Sequence, residues 1–345
     1  MQCATLQGLQ QAVDSVIRGK QEAVKMAIVT LLGRGNLLIE DVPGVGKTTL
    51  AFALAKATGC EFHRIQFTSD MMPADIIGVN IYNPETREFE FRPGPIFSNI
   101  VLADEINRTS PKTQSALLEA MNEKKISIER QTFILPDPFM VVATQNPIEY
   151  HGTFPLPESQ LDRFMMHLKL GYPEPEQEKR AVAEQPGFER AAQLASVATR
   201  EEILAMQAGA DAVSVEESVV DYLMRIITAT RSDSRIRLGA STRGAQFLLK
   251  AARAHAYYEG RDFILPDDVR RLAPLVLGHR LILKTRKFIS DAEEVIHDIV
   301  GSIIVPVGRV VSPCAARVSH EAYTRRKTLP AGNGPDCGRG VQHRQ

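Results

Sequence analysis

The sequence predicts an α/β fold: a five-stranded parallel sheet with helices around it, followed by a second, all-helical part. Three observations carry that prediction. Continuous apolar runs at residues 37–39, 100–103 and 140–143 are separated by helical stretches, the pattern of strands buried on both faces of a parallel sheet. The first run empties into a glycine-rich turn, Asp41-Val42-Pro43-Gly44-Val45-Gly46-Lys47-Thr48-Thr49, with a helical pattern directly behind it. Beyond Pro173 only helical periodicity continues, to about Val305.

The elements can be justified in order. Behind the turn, Leu50, Ala51, Leu54 and Ala57 make one apolar helix face, and Gly59 is placed to end it. Residues 61–67 supply a fourth strand. Val79 and Ile81 lead through Asn83-Pro84-Glu85 to Phe89 and Phe91, an alternation that predicts a β-hairpin. A second hairpin is predicted from Ile126 and Ile128 through Glu129-Arg130-Gln131 to Phe133 and Leu135. Between them, Ser110-Pro111 reads as an N-cap with proline in the first helical position, and Leu117, Leu118 and Met121 form the buried face. Met166, Leu168 and Leu170 alternate with His167 and Lys169, as a half-exposed edge strand would. In the helical part, Val219, Val220, Leu223, Ile226 and Ile227 stripe residues 216–229, and Phe247, Leu248, Ala251 and Ala254 stripe residues 242–258. The expected organisation is therefore 1–172 α/β, 173–306 helical and 307–345 a disordered tail.

Composition narrows the function classes. The chain has 345 residues, 44% hydrophobic and 24% charged, with a formal net charge of zero, so no global field draws it to nucleic acid or an anionic membrane. From Arg309 onward seven Lys or Arg stand against Glu321 and Asp336, which leaves this tail at +5 and the body at −5. No apolar run has the length of a membrane span, and the first residues lack the basic and apolar regions of a signal peptide, so a cytoplasmic location is expected. Cys3, Cys60, Cys314 and Cys337 form no Cys-x-x-Cys pair, which argues against a zinc site or a disulfide framework.

Chemistry is concentrated at the strand ends. Small residues in the glycine turn let backbone N–H groups approach phosphate oxygens, and the following helix points its positive end at them. Lys47 is suited to the β- and γ-phosphates of a nucleotide and the Thr48 hydroxyl to Mg²⁺. Asp41 stands where the Gly-x-x-x-x-Gly-Lys-Thr pattern expects glycine, a change that aspartate's tolerance of unusual backbone angles would accommodate. The run at residues 100–103 ends in Asp104-Glu105, at the edge where α/β sheets bind ligands. Asp104 would hold Mg²⁺ with Thr48, and Glu105 would polarise the water that attacks the γ-phosphate. Asn146, ending the run at 140–143, offers an amide that can orient water without titrating.

With these motifs the chain resembles the MoxR family of AAA+ ATPases over residues about 16–306. The phosphate turn, the Asp104-Glu105-Ile106-Asn107-Arg108 run and Ala143-Thr144-Gln145-Asn146-Pro147 carry the likeness. So do residues 152–164, with Leu161-Asp162-Arg163-Phe164, and Gly239-Ala240-Ser241-Thr242-Arg243-Gly244. The resemblance implies a nucleotide domain with a helical lid, assembling as a ring, usually a hexamer, with ATP between neighbours. It implies that Arg163 is an arginine finger acting on the adjacent subunit's nucleotide, with Arg108 as the rival candidate. It further implies that Arg243 is a sensor on the lid contacting its own subunit's nucleotide, and that Ile17 and Gly19 lie near adenine. The two hairpins would face the pore or the partner. Thr242 replaces the usual proline before the sensor arginine, which would loosen the start of that helix.

The expected activity is Mg²⁺-dependent ATP hydrolysis by a chaperone that remodels or activates a protein partner. That partner would be a von Willebrand factor A domain protein, or a client enzyme needing cofactor or metal insertion. Two other classes fit parts of the pattern: a nucleotide-binding switch or scaffold without turnover, and a DNA-directed AAA+ machine. The complete set Lys47, Asp104, Glu105, Asn146 and Arg163 argues against the first. The neutral charge argues against the second, as does the lack of the Gly-Ala-Phe-Thr-Gly-Ala loop of transcription activators.

Overall fold

The computed structural model describes residues 2–128, 131–146, 153–183, 187–285 and 289–306, with the side chains at 2, 3, 180–183 and 290 outside that description. The expected tail at 307–345 and the tip of the second hairpin, Glu129-Arg130, also lie outside it. Two helices unassigned from sequence open the chain, α1 (Gln2–Val16) and α2 (Gln21–Leu32). They are followed by β1 (Leu37–Glu40), α3 (Lys47–Ala57), β2 (Phe62–Gln66), α4 (Pro73–Ile77), β3 (Gly78–Asn83), β4 (Glu88–Pro93) and β5 (Ile100–Asp104). Next come α5 (Pro111–Glu123), β6 (Lys125–Ile128), β7 (Gln131–Ile134), β8 (Met140–Gln145), α6 (Glu158–Leu161) and β9 (Met166–Leu168).

The central sheet has five parallel strands in the order β2-β5-β8-β1-β9. Successive side chains point to opposite faces of a strand, so each apolar run feeds two cores. Leu37, Ile39, Leu102, Met140 and Val142 join α1, α2 and α3 in one apolar cluster. Leu38, Val101, Ala103, Val141 and Ala143 join Leu117, Leu118 and Met121 of α5 in the other. This double burial is why the runs are continuous rather than alternating. In α1, Leu6, Leu9, Val13 and Val16 recur at helical spacing and are all buried, and the helix packs on α3. Truncating one such leucine to alanine would cost about 2–5 kcal/mol.

One sheet edge differs from expectation. β9 is an edge strand, but all three of its residues are buried and His167 is only 1% exposed. Its imidazole lies between Glu40 of β1, 3.3 Å from Nε2, and Glu293, 3.0 Å from Nδ1. The sequence alternation was real, yet a polar residue paired on both ring nitrogens can be covered. The exposed edge is β2, where only Ile65 is buried.

Both hairpins form, β3 with β4 and β6 with β7. They lean on one another through Phe91 and Phe133, stacked with ring centroids 4.0 Å apart. α5 begins as expected, with Pro111 in its first turn and Ser110 accepting from the Thr113 N–H.

From Pro175 the chain is helical: α7 (Pro175–Ala183), α8 (Gly187–Ala192), α9 (Arg200–Asp211), α10 (Glu217–Ser232), α11 (Thr242–Tyr258), α12 (Pro266–Leu277) and α13 (Ile289–Ser302). One addition to the all-helical expectation is a short antiparallel ladder of β10 (Ile236–Leu238) and β11 (Ile282–Leu283), too brief to leave a period in the sequence. α2 packs against α9 and α11, and Gln207 Nε2 donates to the Leu31 carbonyl at 2.7 Å. Through Pro306 the chain forms one compact unit. No helix among the described residues is long and apolar enough to cross a membrane.

Candidate nucleotide site

Strand register sets the geometry. Gln66 pairs with Asp104, Ala103 with Ala143, Ile39 with Thr144 and Glu40 with Gln145. The residues that follow, Glu105, Asn146 and Asp41, therefore lie at one end of three neighbouring strands. The Asp41 N–H still donates to Gln145 O at 3.1 Å, so the phosphate turn leaves the sheet beside the Asn146 tip.

Within the turn the left-handed conformations fall on Gly44 (φ 87°) and Gly46 (φ 97°), and space around Gly44 is open. A side chain there would fill the cradle that backbone amides need in order to approach an anion. Pro43 is exposed, while Val45, Thr48 and Thr49 are half-buried. Lys47 Nζ folds back onto the turn, donating to the Asp41 carbonyl at 2.6 Å and the Val42 carbonyl at 3.2 Å. Burial pushes its pKa down, against the pull of Asp41, Asp104 and Glu105. Carbonyl oxygens thus hold the ammonium where phosphate oxygens would be stronger acceptors. The turn fits a nucleotide phosphate.

The carboxylates beside it are held on every side. Asp104 Oδ1 accepts from Thr144 Oγ1 at 2.6 Å, and Oδ2 accepts from Arg64 Nη2 at 2.6 Å and Nε at 3.1 Å. Glu105 has a left-handed backbone (φ 58°), and its N–H donates to Thr144 Oγ1 at 2.9 Å. A non-glycine residue held there is a strained feature of the kind found at functional sites. Its Oε2 accepts from Gln66 Nε2 at 3.0 Å and lies 2.9 Å from Arg108 Nε. Asn146 is buried at the end of β8. Sequence reasoning missed Arg64, Gln66 and Thr144, because only strand pairing brings them to the tips. No group of three or more acidic, His or Cys ligands occurs among the described residues.

At the other end of the turn, Ile17 is buried, and a Cβ added at Gly46 would lie 3.6 Å from its Cδ1. Gly19 has φ 71°. α8 packs over this region: Phe188 stacks on Phe52 of α3 at 4.5 Å, and Arg190 Nη2 donates to Val16 O at 3.1 Å. These α8 contacts were also missed, since nothing local marks them.

Arg163 and Arg243 form a second cluster, built on Asp162. Arg280, almost wholly buried, places Nε 2.9 Å from Asp162 Oδ1, and Ser241 Oγ donates to the same carboxylate at 3.2 Å. Ser241 Oγ also caps α11, accepting from the Gly244 N–H at 3.0 Å. The helix start expected to be loose at Thr242 is thereby fixed. Arg243 Nη1 is 4.0 Å from Asp162 Oδ2. Arg163 Nε is buried without a hydrogen-bond partner. Burial first, and the nearby Arg243 second, hold its pKa below the ordinary arginine value, with Glu119 opposing. Two guanidiniums thus lie together with one long ion pair to Asp162 and a buried Nε left over, an arrangement suited to an anion.

Comparison with known proteins gives the family. Residues 36–166 match the ATPase family associated with various cellular activities (AAA), and residues 228–299 match the AAA lid domain. The chain is 47% identical to the uncharacterized protein YeaC of Bacillus subtilis, over 86% of this chain and 93% of that one. It is 40% identical to Chaperone MoxR1 of Mycobacterium tuberculosis, over 85% and 80%. It is 29% identical to Protein MoxR of Methylorubrum extorquens, over 80% and 87%. A solved structure of a protein assigned as an ATPase, from Cytophaga hutchinsonii, superposes with a TM-score of 0.79 at 36% identity, covering 89% of this chain and 96% of that one. The chain belongs to the MoxR family of AAA+ ATPases.

Proposed function

We propose that this protein is a Mg²⁺-dependent ATPase that works as a cytoplasmic homo-oligomeric ring, of hexameric type, and remodels or activates a partner protein. The observation that carries the reading is the convergence of the phosphate turn with the Asp104-Glu105 and Asn146 tips on one sheet edge. The organisation adopted is 1–172 as the nucleotide domain and 173–306 as the lid. ATP with Mg²⁺ would supply the scissile phosphoanhydride and a charge-neutralising cation.

The chain's own residues divide the remaining work. Backbone amides at Gly44, Val45 and Gly46 bind phosphate oxygens, and Lys47 exchanges its carbonyl partners for them. Thr48 and Asp104 would hold the metal, and Arg64, now donating to Asp104 Oδ2, would have to give up that oxygen. Glu105 takes the proton of the attacking water and Asn146 orients that water. Val42, Pro43 and Thr49 frame the turn, and Ile17 and Gly19 contact the base. Arg108 is engaged with Glu105 of its own chain, which favours Arg163 as the finger that crosses to a neighbouring protomer. Arg243 lies in the same cluster, 4.0 Å from Asp162, so it would reach that neighbouring phosphate too, a revision of the role on its own subunit's nucleotide that the resemblance implies.

The partner class is a von Willebrand factor A domain protein or a client enzyme under maturation, as part of the chaperone reading that the named MoxR1 relative supports. Substituting Glu105→Gln tests the core of this. ATP binding is expected to persist while steady-state phosphate release falls at least about 100-fold. Normal turnover in that variant would remove Glu105 as the base.

A further inference from the structure

Asp41 occupies the position where glycine is usual in a phosphate turn, and the reason is not backbone freedom: positive φ in the turn falls at Gly44 and Gly46, not at Asp41. The expectation that aspartate is there because it tolerates unusual angles is corrected by its side chain. The residue is 9% exposed. Its Oδ1 accepts from the Val42 N–H at 2.9 Å, and its Oδ2 accepts from the N–H groups of Leu170 at 2.7 Å and Gly171 at 2.6 Å. Hydrogen bonds to an ionised acceptor are roughly twice as strong as neutral ones, and burial strengthens them further. Glycine can make none of them. Asparagine can accept on one atom only and would turn an amide N–H toward the other donors.

The position of Leu170 and Gly171 gives the contact its meaning. They follow β9 directly, and Tyr172-Pro173 then carries the chain to α7, the first helix of the helical part. Lys20 Nζ donates to the Tyr172 carbonyl at 2.7 Å, so the crossover at 170–172 is clasped from two sides. The same Asp41 offers its carbonyl to Lys47 at 2.6 Å. One residue thus touches both the phosphate-sensing lysine, through its main chain, and the crossover to the lid, through its side chain.

We propose that Asp41 is a positioning residue for ATP turnover, a clamp that fastens the phosphate turn to the lid crossover so that the two move as one body. The proposal rests on the ATPase reading above. Backbone amides and Lys47 bind phosphate without help from the Asp41 carboxylate, so the clamp governs turnover rather than affinity.

The test is Asp41→Gly, with Asp41→Asn beside it in case the first variant fails to fold, and Lys47→Ala as the control on the underlying reading. Three quantities are read on the full chain: affinity for a fluorescent ATP analogue, the kcat and KM of phosphate release, and deuterium uptake in peptides covering 170–172. Both Asp41 variants are expected to bind nucleotide within about 3-fold of wild type, to lose at least about 10-fold in kcat with little change in KM, and to exchange faster at 170–172. Wild-type kcat together with wild-type exchange would overturn the clamp, as would a defect confined to affinity. If Lys47→Ala still binds nucleotide normally, the ATPase reading itself fails. If Lys47→Ala loses binding while both Asp41 variants behave as wild type, only the clamp fails.

Discussion

The phosphate-turn site and the arginine cluster on Asp162 hold their charges in opposite ways. At the turn, Lys47, Asp104 and Glu105 all have partners inside the chain: carbonyl oxygens for the lysine, Thr144 and Arg64 for Asp104, Gln66 and Arg108 for Glu105. In the arginine cluster, Asp162 is already engaged by the buried Arg280, and Arg163 keeps a buried Nε without a hydrogen-bond partner beside the Arg243 cation. The first arrangement is a complete network that a ligand enters by exchange. The second is less complete: Arg243 reaches Asp162 only at 4.0 Å, Glu119 offsets the charge on Arg163 only in part, and both guanidiniums remain partly hydrated. That difference fits the proposed sharing of the site between two subunits, in which one surface would carry the nucleotide and a second would supply cations to it.

Several substitutions would break or sharpen the contrast. The largest effect is expected from Arg163→Ala, which should lower turnover by about 10³-fold while leaving ATP affinity near wild type, as measured by phosphate release and a fluorescent analogue. A loss of affinity equal to the loss of turnover would place Arg163 in its own protomer's binding site instead.

Asp268 provides an internal control, a fully paired charge far from any exchange. Burial raises its pKa, but hydrogen bonds from His255, Arg261 and the Leu265 N–H outweigh that and hold it at about 2. Because the folded value lies below the ordinary 3.8, its stabilisation of about 2 kcal/mol is present above pH 4 and lost as pH falls through 2. Denaturant titrations from pH 5 to 2 should show that loss, and an Asp268→Asn variant should flatten it.

The smallest effect concerns His167, which joins the sheet edge to α13. Burial opposes its protonation, yet the Glu293 and Glu40 carboxylates prevail and raise its pKa above 6.5, while His279 packs alongside with ring centroids 6.0 Å away. A raised histidine pKa contributes stability that is complete below the unfolded value and is lost as pH rises through the folded one. The difference in melting temperature between wild type and His167→Gln should therefore shrink as pH rises above 6.5. A difference that is constant or grows would contradict the paired imidazolium.

What was legible in the sequence, and what was not, follows the reach of each interaction. β1, β5 and β8 could be read because double burial forces unbroken apolar runs. The turn could be read because its motif sets Gly44, Gly46 and Lys47 within a few residues of one another. The Ser110-Pro111 helix start and both hairpins carry local chemistry that needs no partner to be recognised. Arg64, Gln66 and Thr144 could not be read, since their meaning comes from pairing with a strand some 40 residues away. Asp41 looked like a tolerated exception because its partners, Leu170 and Gly171, lie 129 and 130 residues on. His167 looked exposed because two carboxylates from other elements supply what water would have supplied.

The shared-site account is tested most directly by mixing two inactive proteins, Lys47→Ala and Arg163→Ala. Each is expected to hydrolyse almost no ATP alone. Random co-assembly would place an intact Arg163 against an intact Lys47 at about a quarter of the interfaces of a closed ring, and phosphate release should rise in the mixture accordingly. A mixture no more active than the sum of its parts would show that Arg163 serves its own subunit, and the division of the site between neighbours would be wrong.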